Sequence, residues 1–273
     1  METFAIEGKD ISKTINRQQI INQMSMKIPF NSIVLIEGKN GSGKSITLKM
    51  LAKILKPSNG RLDVNGSISY APDHLPTTIN LTVKEYLDFI ERISKNTPTD
   101  ITMKGLINQF NLTPFLNKSI KACSKGTQQK VNLIQCLVRQ ADIYIMDEPF
   151  SGLDKQAIAQ LKTILQQLRQ SATIVLTSHE EALNDTFVTH QFNLENKRLS
   201  VHHDKQQSRS MLIKTSETLN AKQRDMLKRF EAEIIDHVQI KVNVSESNEL
   251  IALLIQEGYF IEEVREDNED GTY

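Results

Sequence analysis

Gly38-Lys39-Asn40-Gly41-Ser42-Gly43-Lys44-Ser45 is the stretch on which the reading of this chain turns. The apolar run Ile33-Val34-Leu35-Ile36 precedes it and reads as a buried strand. Residues 46–55 follow it with apolar side chains at helical spacing. A glycine loop between strand and helix suits a phosphate group: glycine lets the backbone turn close to an anion, so successive N–H groups point at its oxygens. The positive end of the helix dipole adds to that field. In such a loop Gly38, Asn40, Gly41, Ser42, Gly43 and Ile46 frame the phosphates, Lys44 reaches the β- and γ-phosphates, and the Ser45 hydroxyl holds Mg²⁺. A plain glycine turn is the bland alternative, and the strand before and the helix after count against it.

The 273 residues suffice for one large domain and a small one. Lysine plus arginine number 33 and aspartate plus glutamate 33, so the formal net charge is zero. That balance counts against a nucleic-acid binder, which carries a basic excess. Cys123 and Cys136 are too few for a disulfide framework and point to a reducing compartment. Met1-Glu2-Thr3-Phe4-Ala5 lacks the charged-then-apolar order of a secretion signal, and no apolar run approaches the roughly 18 residues of a spanning helix. The expectation is a soluble chain, or one held at a membrane by a partner.

Outward from the loop, Phe4-Ala5-Ile6 and Gln19-Ile20-Ile21 are weak strand candidates, and Met24 to Ile28 alternates with period two. Asn31 stands at the turn into the central strand, where its tolerance of positive φ helps. Lys56-Pro57-Ser58-Asn59-Gly60 ends the helix and turns the chain; strands at 61–66 and 67–71 follow. Residues 80–121 read as a helical insertion, with Thr82 and Glu85 as a capping box, a second helix at 103–110 and a loop at 96–100 between them. The core resumes with a helix over 126–139, an apolar strand over 142–149 that ends in two acids and a proline, a turn at Ser151-Gly152-Leu153-Asp154, a helix to 170 and the strand 173–179. Alternating strands and helices predict a parallel sheet with right-handed crossovers.

Residues 200–210 are polar and read as a linker. Beyond it, strand, helix, strand, strand, helix and strand are expected at 211–215, 219–230, 233–236, 238–244, 246–257 and 259–264. Ser245 and Gly258 suit the caps of the last helix, and the acidic tail from 265 is expected to be loose. This βαββαβ order predicts a small ferredoxin-like α+β domain over 211–273, beside an α/β domain over 1–205.

Three residues beyond the loop carry chemistry. Asp147 ends an apolar strand, from which its carboxylate reaches Mg²⁺; Glu148 follows and polarises an attacking water; His179 ends the next strand on the same sheet edge, placed for a γ-phosphate contact. Paired acids at a strand end are otherwise a turn or a cap, and a strand-end histidine is otherwise a core residue. The phosphate loop in the same chain favours the chemical reading.

With these residues in place, the sequence resembles the ATP-binding cassette (ABC) family over about residues 1–205: a P-loop NTPase core with a parallel sheet, an antiparallel β subdomain and a helical insertion. The loop matches Walker A, 143–149 matches Walker B with its catalytic glutamate, 151–154 the D-loop and His179 the switch histidine. The family signature falls on Cys123-Ser124-Lys125-Gly126-Thr127, keeping Ser124 and Gly126, which the resemblance aims at a γ-phosphate. Ile15 stands where the family stacks an aromatic ring on adenine, and Asp73 where it has a glutamine beside Mg²⁺; Cys123 and Thr127 also depart from the pattern. The resemblance implies ATP and Mg²⁺ as ligands, and two cassettes closing head to tail, as a homodimer or with a paralogue. It implies permease subunits in the membrane, a place on its cytoplasmic face, and no nucleic acid. The signature variant and the C-terminal extension look like those of exporters, so export is expected. A soluble ABC ATPase acting on nucleic acid, ribosomes or cluster assembly is the competing reading.

Overall fold

The computed structural model describes residues 4–76, 78–94, 101–178, 187–201, 210–216, 227, 230, 232–235 and 238–266. The loop expected at 96–100, the switch residue His179, linker residues 202–209, most of the helix expected at 219–230 and the tail from 267 lie outside the described residues. The chain divides into two compact units, residues 1–183 with 187–202 and residues 184–186 with 203–273.

In the first unit β1 (Ile6–Ile15) and β2 (Gln18–Ile28) form a hairpin. Asn16 and Arg17 between them both take positive φ, 50° and 65°, the conformation that matches a two-residue turn to strand twist. Each strand is longer than the short pieces expected from sequence. Register shifts between Gly8 and Thr14 break the period-two pattern by which a strand is recognised. Next come β3 (Ile33–Glu37), the glycine loop and α1 (Lys44–Leu51). The helix is shorter than the 46–55 pattern suggested, because Lys53 turns to φ 59° and the N–H groups of Ile54 and Leu55 close back on the Lys49 carbonyl. β4 (Asn59–Val64) pairs antiparallel with β1, so Asn59 and Gly60, read as part of a turn, belong to a strand. β5 (Ile68–Ala71) follows.

The insertion contributes α2 (Val83–Ile93) and α3 (Met103–Gln109). The Thr82–Glu85 capping box forms as expected, with the Glu85 N–H donating to the Thr82 hydroxyl and the Thr82 N–H to the Glu85 carboxylate. The core resumes with α4 (Lys125–Leu137), β6 (Ile143–Met146), α5 (Lys155–Leu168) and β7 (Thr173–Thr177). Two strands not anticipated from sequence, β8 (His190–Asn193) and β9 (Arg198–Val201), complete the sheet. Its order is β5-β6-β7-β3-β8-β9, parallel except for β9. β3 lies inside it, with Ile33 and Leu35 in the apolar cluster on one face and Val34 and Ile36 in that on the other. Burial on both faces explains the unbroken apolar run. The glycine loop thus leaves the carboxyl end of a central strand, where open α/β sheets gather ligands.

The second unit holds β10 (Ser210–Thr215), β11 (Glu233–Ile234), β12 (Gln239–Asn243), α6 (Val244–Gln256) and β13 (Ile261–Glu266). The sheet runs β11-β12-β10-β13 with every neighbouring pair antiparallel, the order of a ferredoxin-like fold. Ser245 lies inside α6 and is not its cap, since the helix begins at Val244, which the alternation had assigned to the strand. Gly258, at φ 91°, ends that helix as expected.

Candidate functional site

Gly43 takes φ 99° as the residue before α1, and a Cβ there would lie 2.6 Å from the Ile21 side chain. Only glycine meets both demands. The turn it allows leads into α1, whose first residues Lys44, Ser45 and Ile46 line a cavity of about 390 Å³. Loop residues 39–41 and 43–46 line this cavity together with Asp73, Asp147, Glu148 and Ile20. The Lys44 ammonium folds back over the loop and donates to the Gly38 carbonyl at 2.7 Å. Cation and N–H groups therefore converge where an anion would sit.

Asp147, 3 % exposed, follows β6, and Thr177 lies at the end of neighbouring β7. The Thr177 hydroxyl donates to Asp147 Oδ1 at 2.9 Å and accepts the Glu148 N–H at 2.9 Å. On its other side Glu148 offers its carbonyl to the buried Gln129 amide, 3.0 Å away. Asp73 is held by His74, Nε2 to Oδ2 2.9 Å. The negative field extends to Tyr70: burial pushes its phenol above the ordinary range, and Asp147 and Asp73 add to the shift.

Ser45, Asp147 and Asp73 offer an all-oxygen donor set to this cavity, the kind a hard divalent cation takes. Among the described residues no cluster of three or more acid, histidine or cysteine side chains forms a complete metal cage. Mg²⁺ binds through one or two protein groups and fills its other positions with water and phosphate oxygens. A triphosphate beside three carboxylates is repelled unless such a cation lies between them.

The structure therefore gathers the glycine loop, Asp73, Asp147 and Glu148 around one cavity, whereas Ile15, Ser124 and Gly126 are not among its lining residues. Ile15 ends β1, paired with Gln18 across the hairpin, and Ile20 and Ile46 are the apolar residues that line the cavity. Ser124 caps α4 by accepting the Thr127 N–H, and Gly126 packs on the Gly152 carbonyl so closely that a Cβ would collide. Lys125 donates to the Ser151 hydroxyl at 3.1 Å, and Lys130 pairs with Asp154 at 2.8 Å, so the start of α4 is tied to the 151–154 turn. Thr177 and Gln129 escaped sequence reasoning. One reads as a strand residue and the other as a polar helix position, and only the packing of β6, β7 and α4 gives either a role.

A family profile described as ABC transporter matches residues 21–151. An uncharacterized ABC transporter ATP-binding protein of Methanocaldococcus jannaschii is 30% identical over 178 residues, covering 64% of this chain and 68% of that protein. A zinc import ATP-binding protein of Pasteurella multocida is 28% identical over 181 residues, covering 64% and 67%. Among solved structures, an ATP binding subunit of an ABC transporter superimposes with a TM-score of 0.66 at 25% identity, covering 72% of this chain and 90% of that one.

Proposed function

This chain belongs to the family of ABC transporter ATP-binding proteins, and on that premise we propose that it binds and hydrolyses MgATP to drive transport through separate membrane-spanning subunits. The observation that carries the proposal is the single cavity into which the glycine loop, Asp147 and Glu148 all open. There Lys44 and the loop N–H groups bind and orient the triphosphate, while Ser45 and Asp147, with Asp73, hold Mg²⁺. Held there, the ion would supply charge that neutralises the triphosphate. Glu148 polarises the attacking water, and the resemblance assigns the γ-phosphate contact to His179, which lies outside the described residues. Most of the catalysis is electrostatic, because the loop donors are already fixed before charge develops.

Ser124 and Gly126 serve a second cassette. Their place at the start of α4, among none of the residues lining this chain's own cavity, supports a head-to-tail pair with a copy or a paralogue. No helix among the described residues is long and apolar enough to cross a membrane; family membership supports a separate permease as the source of the pathway. A second cavity of about 320 Å³ is lined by Ile54, Tyr70, Ile90, Ile93 and Arg139 among others. Ile54 and Ile93 at its lip are more than half exposed, apolar surface that a partner would cover. The chain then works on the cytoplasmic face of the membrane. Zero net charge favours this role over action on nucleic acid.

Export, expected from the signature variant and the C-terminal unit, gains no support from the relatives. The zinc protein's name states import. Direction is a property of the permease, and uptake and efflux assays on the assembled transporter read it directly.

The site is tested with three proteins. Wild type releases phosphate from ATP; Glu148→Gln binds ATP with little change but loses turnover by at least about 100-fold; Lys44→Ala loses ATP binding itself. Wild-type turnover in Glu148→Gln would remove that residue from the reaction.

A further inference from the structure

We propose that Thr177 is a positioning residue for Glu148, with Gln129 as its counterpart on the other side of the same residue. Between them they hold the Glu148 backbone in the conformation that presents its carboxylate to the nucleotide cavity. The proposal rests on the reading of Glu148 as the group that polarises the attacking water.

Glu148 takes φ 50°, in the left-handed region that L side chains seldom adopt. Pro149 follows it and disfavours the right-handed helical region at Glu148, but it leaves the extended region open. Something else must select the left-handed conformation, and two side chains on different elements are placed to do so. From β7, Thr177 accepts the Glu148 N–H at 2.9 Å. From α4, the Gln129 amide donates to the carbonyls of Glu148 and Pro149, at 3.0 and 3.2 Å. Thr177 is fully buried and Gln129 is 5 % exposed, so water does not replace either partner cheaply.

The Thr177 hydroxyl also acts on Asp147. A hydroxyl has one proton to give, and this one goes to Asp147 Oδ1 at 2.9 Å, leaving a lone pair for the Glu148 N–H. Donation to a carboxylate raises the electron density on the hydroxyl oxygen and strengthens its acceptance of the N–H. One side chain therefore fixes the relative orientation of two adjacent acids with different tasks, Asp147 toward the metal and Glu148 toward water. Valine has the same shape but loses both hydrogen bonds, to the Glu148 N–H and to Asp147 Oδ1. Gln129 stands five residues after Ser124 on α4, so the second clamp begins on the helix that carries the signature. The nearest plain alternative is that Thr177 only satisfies a buried N–H at a strand end, in which case its loss weakens the whole domain without singling out the chemical step.

The test uses the full chain and four variants: Thr177→Val, Thr177→Ser, Gln129→Met and Glu148→Gln. Turnover, equilibrium ATP affinity and thermal midpoint are measured on each. Thr177→Val is expected to lower kcat by about tenfold or more while ATP Kd stays within about threefold. Thr177→Ser, which keeps the hydroxyl, restores most of kcat. Gln129→Met keeps the side-chain length and loses both amide donors; it lowers kcat with the same split and does not depend on Thr177→Val folding. Wild-type kcat in both Thr177→Val and Gln129→Met overturns the proposal, as does a kcat loss that serine fails to rescue or that ATP affinity follows in proportion. If Glu148→Gln turns over normally, the premise fails instead. If Glu148→Gln is inactive while the two clamp variants behave as wild type, only this proposal fails.

Discussion

Ile20 and Ile15 show how far single residues can be read. The backbone chemistry of the phosphate loop was legible because glycine, lysine and serine at fixed spacing between strand and helix leave few other physical uses. The wall beside it was not. Family resemblance points to Ile15, which ends β1 just before the Asn16–Arg17 turn, while Ile20 on the next strand lines the cavity. Neither residue is aromatic, and an aliphatic wall packs on any purine without the stacking or edge recognition that separates adenine from guanine. ATP and GTP are therefore expected to bind within about threefold of each other, since a few methyl contacts shared by both bases give no differential energy. Ile20→Ala should weaken both to the same extent, and competition of each nucleotide against a fluorescent analogue measures this. A strong preference for ATP would place a further base-recognising group at the site.

At the scale of elements, caps and buried strands were legible and polar edge strands were not. The box at Thr82 and Glu85 announced α2, and the apolar runs announced β3, β6 and β7. β8 and β9 span four residues each, and only Phe192 among them is fully buried, so no periodicity was long enough to reveal them. The start of α5 gives a test at this scale. Asp154 caps that helix, accepting the Ala157 N–H at 2.8 Å, and its other oxygen receives Lys130. The Lys130 hydrogen bond, followed by the Ala157 N–H, holds the Asp154 carboxyl below its ordinary value. A depressed carboxylate contributes stability that is complete above the unfolded-state value and is lost as pH falls through the folded-state value. The side chain is 59% exposed, so solvent screening leaves the ion pair little weight and the cap dominates. Asp154→Ala should cost about 1 kcal/mol at pH 7, and Asp154→Asn much less, because asparagine caps as well as aspartate. The gap between wild type and Asp154→Ala should shrink in acid, below the ordinary aspartate range. Urea midpoints across that pH range test it; a gap independent of pH would mean that the ionised carboxylate contributes nothing.

The whole molecule is two cores on one chain. The first unit packs apolar clusters on both faces of its large sheet, and the second has its own, built from Ile213, Leu227, Phe230, Ile240, Val242, Leu250 and Leu254. In sequence, residues 211–273 carry their own alternating strand, two helical patterns and a glycine stop at Gly258, enough to expect a separate fold but no nucleotide site. Every described phosphate-loop and acidic residue of the cavity lies before residue 150. A chain ending at residue 206 is therefore expected to bind ATP within about threefold of the full chain, because a core that buries its own apolar surface does not draw its stability from the neighbouring one. What the second unit contributes is proposed to be assembly, so the shortened chain should form its ATP-bound dimer, or its complex with the permease, less readily. If the unit instead buttresses the ATPase core, shortening lowers the thermal midpoint and ATP affinity together and leaves no selective effect on assembly. ATP affinity by titration and dimerisation by analytical ultracentrifugation, measured on the same shortened chain with Glu148→Gln to hold the nucleotide, separate the two. Loss of ATP binding in that chain would show that the nucleotide site depends on the second unit after all.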